Sequence, residues 1–155
     1  MRRAIVLDAG PLGFLTNPHG RGESILCFQW LQALLQGSEN LVLIPEIADF
    51  EVRRELIRAN LPASVQRLDA LQHRLTYLPL TTAAMRQAAI FWAQARNRGV
   101  KTADDKALDV DMILAAQTEL LRPLADAVLI ATTNVGHVAL FADARRWQDI
   151  PPQVS

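Results

Sequence analysis

Short apolar runs alternate along this chain with longer segments in which apolar residues recur at helical spacing. The strands that these runs predict occupy residues 3–8, where the apolar run itself is Ala4-Ile5-Val6-Leu7, and residues 41–44, 76–80 and 127–131. Strands that are buried on both faces are apolar at nearly every position, and helical patterns separate these runs. The sequence therefore predicts an α/β fold, a three-layer α/β/α sandwich with a mainly parallel central sheet.

Capping residues and glycines predict where the intervening helices begin and end. The segment Gly10-Pro11-Leu12-Gly13 is predicted to break the chain before any helix can form after the first strand, and residues 100–106 are predicted to be a polar connection. The predicted helices extend from Ser24 to Gly37, from Pro45 through Ile57, from Pro62 to Leu75, from Thr81 or Thr82 through Ala95, and from Leu108 to Leu121.

The size of the chain predicts a single domain over residues 1–155, because half of these residues are apolar and no interdomain linker interrupts them. No apolar run reaches the roughly eighteen residues that a membrane span needs, and the run after Arg3 is too short for a signal peptide. We therefore expect a cytoplasmic protein. Cys27 is the only cysteine, and its apolar neighbours predict ordinary core packing.

The formal net charge of zero argues against a surface that grips nucleic acid by overall charge alone. The positive charge is mostly arginine, whose guanidinium groups contact phosphates well. Each of the three arginine clusters is also explained by an ordinary solvent-exposed helix face. The clusters are Arg53, Arg54 and Arg58; Arg96 and Arg98; and Arg145 and Arg146.

Four acidic or amide side chains are predicted to meet at one edge of the sheet. Asp8 follows the first apolar run and Asn134 follows the last, so both belong to the carboxyl ends of strands, where open α/β sheets bind ligands. Glu51 lies on the apolar side of its predicted helix, and Asp111 lies within an almost wholly apolar helix. A buried carboxylate costs several kcal/mol unless a cation or hydrogen bonds compensate it.

Each of these residues also has an ordinary structural explanation. Asp8 is a candidate turn residue bonded to the following backbone, and Asn134 is a candidate turn residue too. Glu51 has Arg54 as a possible intrahelical partner, and Asp111 lies near enough to its helix N-terminus to interact with the macrodipole.

The four candidate ligands all supply oxygen atoms. The sequence offers no cysteine cluster and no pair of histidines at helical spacing, so this set favours Mg²⁺ or Mn²⁺ over zinc. The chemistry expected of such a site is phosphodiester hydrolysis by metal-activated water. His19, His73 and His137 are predicted to be surface residues rather than catalysts.

The motifs around these residues resemble those of PIN-domain proteins of the kind that includes the VapC-type ribonucleases, over nearly the whole chain. The resemblance implies a Mg²⁺- or Mn²⁺-dependent endoribonuclease, with Asp8, Glu51 and Asp111 as metal ligands, Asn134 in the fourth catalytic position and Thr132 supporting the site. The matching segments are Ile5-Val6-Leu7-Asp8, residues 44–51, residues 108–116 and Ala131-Thr132-Thr133-Asn134.

The chain departs from the family pattern at the fourth position, where the amide of Asn134 lowers the charge available for a second metal ion. Asp109 is the main rival of Asp111 as third ligand, although the two point about 160° apart on a regular helix. Asp104 is a candidate for contacting the ion through a water molecule.

Two other functions compete with the ribonuclease. A PIN-fold module that binds nucleic acid or protein with weak or no cleavage is favoured by Asn134 and by the neutral charge. A phosphatase with Asp8 as nucleophile requires a second Asp where Gly10 stands.

The expected partners are RNA, a second copy of the chain and an antitoxin protein, the last following from the family resemblance. Apolar residues of the helix from Val65 to Leu75, with Trp30 and Trp92, are candidates for a homodimer face or for an antitoxin site. Core packing explains the same residues.

Overall fold

The computed structural model describes residues 1–17, 20–100 and 105–154. The strands are β1 (Arg3–Leu7), β2 (Asn40–Pro45), β3 (Thr76–Leu78), β4 (Ala127–Thr132) and β5 (Ala144–Arg146). The helices are α1 (Ala9–Leu15), α2 (Glu23–Gln36), α3 (Glu46–Arg58), α4 (Pro62–Arg74), α5 (Thr82–Asn97) and α6 (Asp105–Glu119), and short 3₁₀ turns occupy Arg122–Leu124, Gly136–Leu140 and Trp147–Asp149.

The five strands form one parallel sheet in the order β3-β2-β1-β4-β5. The central strand β1 pairs Arg3 with Asn40 of β2 on one side, and with Ala127 of β4 on the other. All four predicted strands are confirmed. The edge strand β5 is an addition, because its three residues include two exposed arginines and carry no apolar pattern.

The side chains of β1 alternate between two cores, one on each face of the sheet. Ile5 and Leu7 pack in a cluster with residues of α1, α2 and α4, whereas Ala4 and Val6 pack in a second cluster with Leu114 of α6. Helix α5 lies on the outside of α6, where alanines and Phe91 form a third cluster. The predicted three-layer α/β/α architecture is confirmed.

The prediction that Gly10-Pro11 breaks the chain is wrong, since α1 begins at Ala9. Pro11 lies in the first turn of this helix, where a backbone N–H has no intrahelical acceptor to lose. The prediction that Ser24 caps the next helix is also wrong, because α2 begins at Glu23 after Gly22. Thr81 does cap α5, where its hydroxyl accepts a hydrogen bond from the Ala84 N–H at 3.0 Å.

Most of the residues predicted to form a partner surface lie in the core instead. Leu68, Leu71 and Leu75 are buried in the cluster beneath α4, and Trp30 is buried beside them. These side chains are closed to a partner because they anchor helices to the sheet. Trp92 of α5 remains exposed.

Cys27 is completely buried, as predicted, and burial raises the pKa of its thiol to about 12. Within the described ranges, every helix is too short or too polar to cross a membrane.

Candidate functional site

Asp8 is fixed at the carboxyl end of β1 by two hydrogen bonds. One carboxylate oxygen accepts from the Ala9 N–H at 2.7 Å, so that Asp8 is the N-cap of α1, and the other accepts from the Thr132 hydroxyl at 2.7 Å. The hydrogen bond to the following backbone that the sequence suggested for Asp8 is therefore present, and it uses only one of the two oxygens. The second bond ties β1 to the end of β4 across the predicted ligand-binding edge.

Thr132 is buried as the last residue of β4 and connects two of the predicted site residues. Its hydroxyl donates to Asp8 and accepts a hydrogen bond from the Asn134 N–H at 3.1 Å. The turn that carries Asn134 is thereby held against Asp8. A Cβ at Gly10 would lie 2.5 Å from side-chain atoms of Thr133, so only glycine allows α1 to approach this turn so closely.

Asp111 and Asn134 face the same small region beside Gly136. A Cβ at Gly136 would lie 3.9 Å from the amide oxygen of Asn134 and 4.0 Å from a carboxylate oxygen of Asp111. Gly136 has a φ of 46°, a left-handed conformation that glycine adopts without strain. This turn therefore brings a β4 residue and an α6 residue together at the sheet edge.

Glu51 and Asp111 are half-buried carboxyls whose charges are poorly compensated. Burial raises the pKa of Glu51 to about 7, with a further contribution from the negative charge of Asp8 and a smaller one from Asp111. Burial and the charge of Asp8 raise the pKa of Asp111 to about 6. Burial also raises the pKa of Asp8, although its hydrogen bonds to Thr132 and Ala9 oppose the shift.

The charge of Asp8 raises the pKa values of both Glu51 and Asp111, and the charge of Asp111 raises that of Glu51. The three carboxyls, at the end of β1 and on α3 and α6, therefore lie close enough to interact electrostatically. They do not yet form a coordination sphere, because no three acidic, histidine or cysteine side chains of the described residues converge into a metal-binding group. The arrangement is a cluster of repelling oxygens in partly buried surroundings. Its donor set of carboxylates and one amide suits a hard divalent cation.

A buried glutamine holds α6 against the helix that carries Glu51. Gln117 of α6 accepts from the Ile47 N–H in the first turn of α3 at 3.3 Å and donates to the Leu78 carbonyl of β3 at 2.9 Å. Gln117 is only 2% exposed. Glu51 and Asp111 project from these two helices, so the helices that carry them are linked by this buried contact.

The remaining candidates lie elsewhere. Asp109 is exposed and lines the groove between α5 and α6 with Trp92 and Met85, so it is not brought together with Asp8. Asp104 and His19 lie outside the described residues. His73 is exposed, as predicted.

Two basic residues lie near the site: Arg54, which the sequence suggested as a partner of Glu51, and His137, which was predicted to lie at the surface. His137 is half-buried in the turn after Asn134, and its charge lowers the pKa of Asp111 against the effect of burial. Arg54 lowers the pKa of Glu51 in the same way. The spacing of three residues between Asn134 and His137 was the available clue for His137.

Comparison of the sequence with protein-family models gives no match, and no curated protein matches it. Solved structures do match. A chain of VapBC2 from Rickettsia felis, a complex bound to a DNA fragment from their promoter, has a TM-score of 0.67 at 14% identity, over 93% of this chain and 98% of that one. A chain of VapBC-1 from nontypeable Haemophilus influenzae has a TM-score of 0.60 at 12% identity, over 94% of this chain and 99% of that one. The sheet is all parallel with helices on both faces, and the matches cover these chains almost completely. The fold is therefore that of a VapC-like PIN domain.

Proposed function

We propose that the protein is a metal-dependent endoribonuclease that hydrolyses RNA phosphodiester bonds. The observation that carries the proposal is the group formed by Asp8, Glu51 and Asp111: burial raises all three pKa values, and the charge of Asp8 raises those of Glu51 and Asp111 further. A divalent cation removes this repulsion, and phosphodiester hydrolysis is the chemistry that such oxygen-liganded ions support.

Asp8, Glu51 and Asp111 would hold Mg²⁺ or Mn²⁺, with the amide oxygen of Asn134 beside Asp111. When bound, the ion supplies a water of lowered pKa and charge for the leaving oxygen. Thr132 and the Ala9 N–H fix the orientation of Asp8, so Asp8 is the stationary ligand. Glu51 and Asp111, for which the structure shows no comparable restraint among the described residues, would complete the set of carboxylate ligands.

We also infer that the chain acts as the toxin half of a toxin-antitoxin pair. The support is the match to chains of two VapBC complexes, both covered almost completely. An antitoxin is the protein partner that this likeness suggests. Formation of a homodimer stays a prediction.

The test is cleavage of a mixed RNA pool by the purified protein with Mn²⁺, with Mg²⁺ and with EDTA. We expect cleavage only with the ions, and a loss of at least about a hundredfold in Asp8→Asn and in Asp111→Asn, because each variant removes a charge that holds the ion. Asp109→Asn is the matched control. It changes the same residue type on the same helix, yet Asp109 is exposed in the α5–α6 groove, so its activity should stay near wild type.

Two outcomes count against the proposal. Equal losses in Asp109→Asn and Asp111→Asn would mean that Asp111 has no special role. If the wild-type protein retains RNA but cleaves no pool with either ion, the result would favour a PIN-fold module that binds RNA without cleaving it. The amide at Asn134 and the neutral net charge support this alternative.

A further inference from the structure

An exposed aromatic residue stands directly beside the candidate metal ligands. Phe50 immediately precedes Glu51 in α3 and is 53% exposed. The guanidinium carbon of Arg54 lies over its ring, 5.1 Å from the ring centroid. Phe50 and Arg54 form a stack of a flat cation on an aromatic ring at the solvent-facing side of α3, here called the Phe50–Arg54 stack.

Helix geometry places this stack at the rim of the site. At about 100° per residue, Phe50 and Arg54 lie about 40° apart, and Arg54 lies about 60° from Glu51. The buried residues Ala48 and Val52 face the core on the other side of Glu51. A ligand that reaches the carboxylate cluster along α3 would therefore pass the Phe50–Arg54 stack.

The charge of Arg54 acts on Glu51, but among the described residues its guanidinium forms no direct salt bridge. Arg53 binds Asp49 at 2.9 Å and Asp69 at 2.8 Å, and Arg58 binds Glu55 at 2.8 Å. In the part of the chain that the structure describes, Arg54 has no salt bridge or hydrogen bond of its guanidinium, and contacts the Phe50 ring instead. Its planar donors are thus available for a ligand, and phosphate is the anion that this geometry fits.

We propose that the Phe50–Arg54 stack is a subsite for an unpaired nucleotide of RNA, next to the scissile phosphate. The base stacks on the exposed aromatic ring and guanidinium, and Arg54 pairs with a backbone phosphate. Single-stranded RNA is bound in this way because its unstacked bases offer free faces, whereas in a duplex neighbouring base pairs cover them. The inference rests on the proposed function and narrows its substrate to RNA that is unpaired at the cut.

The chain contains a second aromatic–arginine stack that serves as an internal control. Trp92 and Arg96 of α5 are also four residues apart, with the guanidinium carbon 5.3 Å from the ring centroid. Trp92 lines the groove that also contains Asp109, and Arg96 donates to the Val100 carbonyl at the end of α5 at 3.1 Å. This stack supports the end of a helix away from the carboxylates, so RNA should not depend on it.

The experiment measures binding of a short, labelled, unstructured RNA to the full chain by fluorescence anisotropy, in EDTA so that no cleavage occurs. Phe50→Leu should weaken binding about tenfold, in line with the loss of one base stack. Phe50→Tyr should restore it, and Trp92→Leu should leave it unchanged. A blunt RNA duplex should be bound equally by the wild type and by Phe50→Leu.

Cleavage kinetics with Mn²⁺ provide a second measurement. Phe50→Leu should raise KM about tenfold with kcat within about twofold of wild type, because stacking contributes equally to the ground and transition states. If the wild type fails to cleave but Phe50→Leu still weakens binding, the nuclease proposal fails while the subsite stands.

Three results would overturn the subsite. These are equal binding by wild type and Phe50→Leu, equal losses in Phe50→Leu and Trp92→Leu, and a wild type that binds no single-stranded RNA. Light scattering distinguishes the remaining use of an exposed aromatic residue. A change of oligomeric state in Phe50→Leu would assign Phe50 to a contact between copies of the chain and would also overturn the proposal.

Discussion

Each site carboxyl owes its raised pKa to where its residue stands in the fold. Asp8 is the best compensated, because the Thr132 hydroxyl and the Ala9 N–H each donate to one of its oxygens. For Glu51, the charge of Arg54 opposes the effect of burial, and among the described residues no hydrogen bond to its carboxyl does so. Glu51 is therefore partly protonated near neutral pH, and a proton and a cation compete for its oxygens.

This competition predicts how the stability of the metal-free protein depends on pH. The pKa of Glu51 is raised from 4.5 to about 7, so within this window the folded protein keeps a proton that the unfolded chain releases. The free energy of unfolding should fall as the pH rises from 4.5 to about 7. Glu51→Gln should flatten this fall in urea unfolding series measured in EDTA.

Glu55→Gln is the control for this pH series. Glu55 lies on the same helix and is exposed, with a salt bridge to Arg58 at 2.8 Å. An exposed pair of this kind contributes little to stability. A Glu51→Gln variant whose pH profile matches those of the wild type and of Glu55→Gln would contradict the raised pKa.

At the scale of elements, a buried polar side chain of α6 forms a hydrogen bond to α3. Gln117 satisfies a backbone N–H of α3 and a backbone carbonyl of β3 at once. Both groups would be buried without partners in its absence, and each unsatisfied group costs about 1–3 kcal/mol. The relative positions of α3 and α6, which carry Glu51 and Asp111, therefore depend on this buried contact.

Gln117→Met keeps the length of the side chain and removes both hydrogen bonds. We expect it to lower the free energy of unfolding by roughly 2–5 kcal/mol, because two buried backbone groups lose their partner. Thr118→Val is the matched control. The Thr118 hydroxyl donates to the Leu114 carbonyl at 2.9 Å within its own helix, so that loss should cost about 1 kcal/mol or less. Chemical denaturation measures the free energy of unfolding of both variants. Equal losses in Gln117→Met and Thr118→Val would show that the two hydrogen bonds of Gln117 contribute no more than the one of Thr118.

The elements also show which features could be predicted from sequence. The positions of Asp8 and Asn134 at the edge of the sheet were predictable because each residue follows an apolar run. The positions of Glu51 and Asp111 on the inward sides of their helices were predictable from the angle of about 100° between successive residues. Helix α1 was missed because Gly-Pro in a first helical turn resembles a chain break. The role of Gln117 was out of reach, since its partners lie 70 and 39 residues away along the chain and depend on how the helices pack.

At the scale of the whole molecule, the parallel sheet gathers segments from across the sequence at one edge. The Thr132 hydroxyl reaches Asp8 over 124 residues because β4 lies beside β1. The chain has no net charge to attract RNA over long distances. The proposed binding of RNA would therefore depend on local groups at this edge, and a bound cation would link all of the segments that form it.

Cation binding should consequently stabilise the entire fold. An ion that binds only the folded protein, at ten times its Kd, adds about 1.4 kcal/mol to the free energy of unfolding, which for a chain of this size raises the Tm by roughly 3–6 °C. Scanning calorimetry at about pH 8, with and without Mn²⁺, measures the shift. Asp8→Asn should lose most of it, because Asp8 is the ligand held in place by Thr132 and Ala9. Asp109→Asn should keep it, because this carboxylate is exposed in the α5–α6 groove. A shift of equal size in all three proteins would mean that the ion binds elsewhere on the molecule.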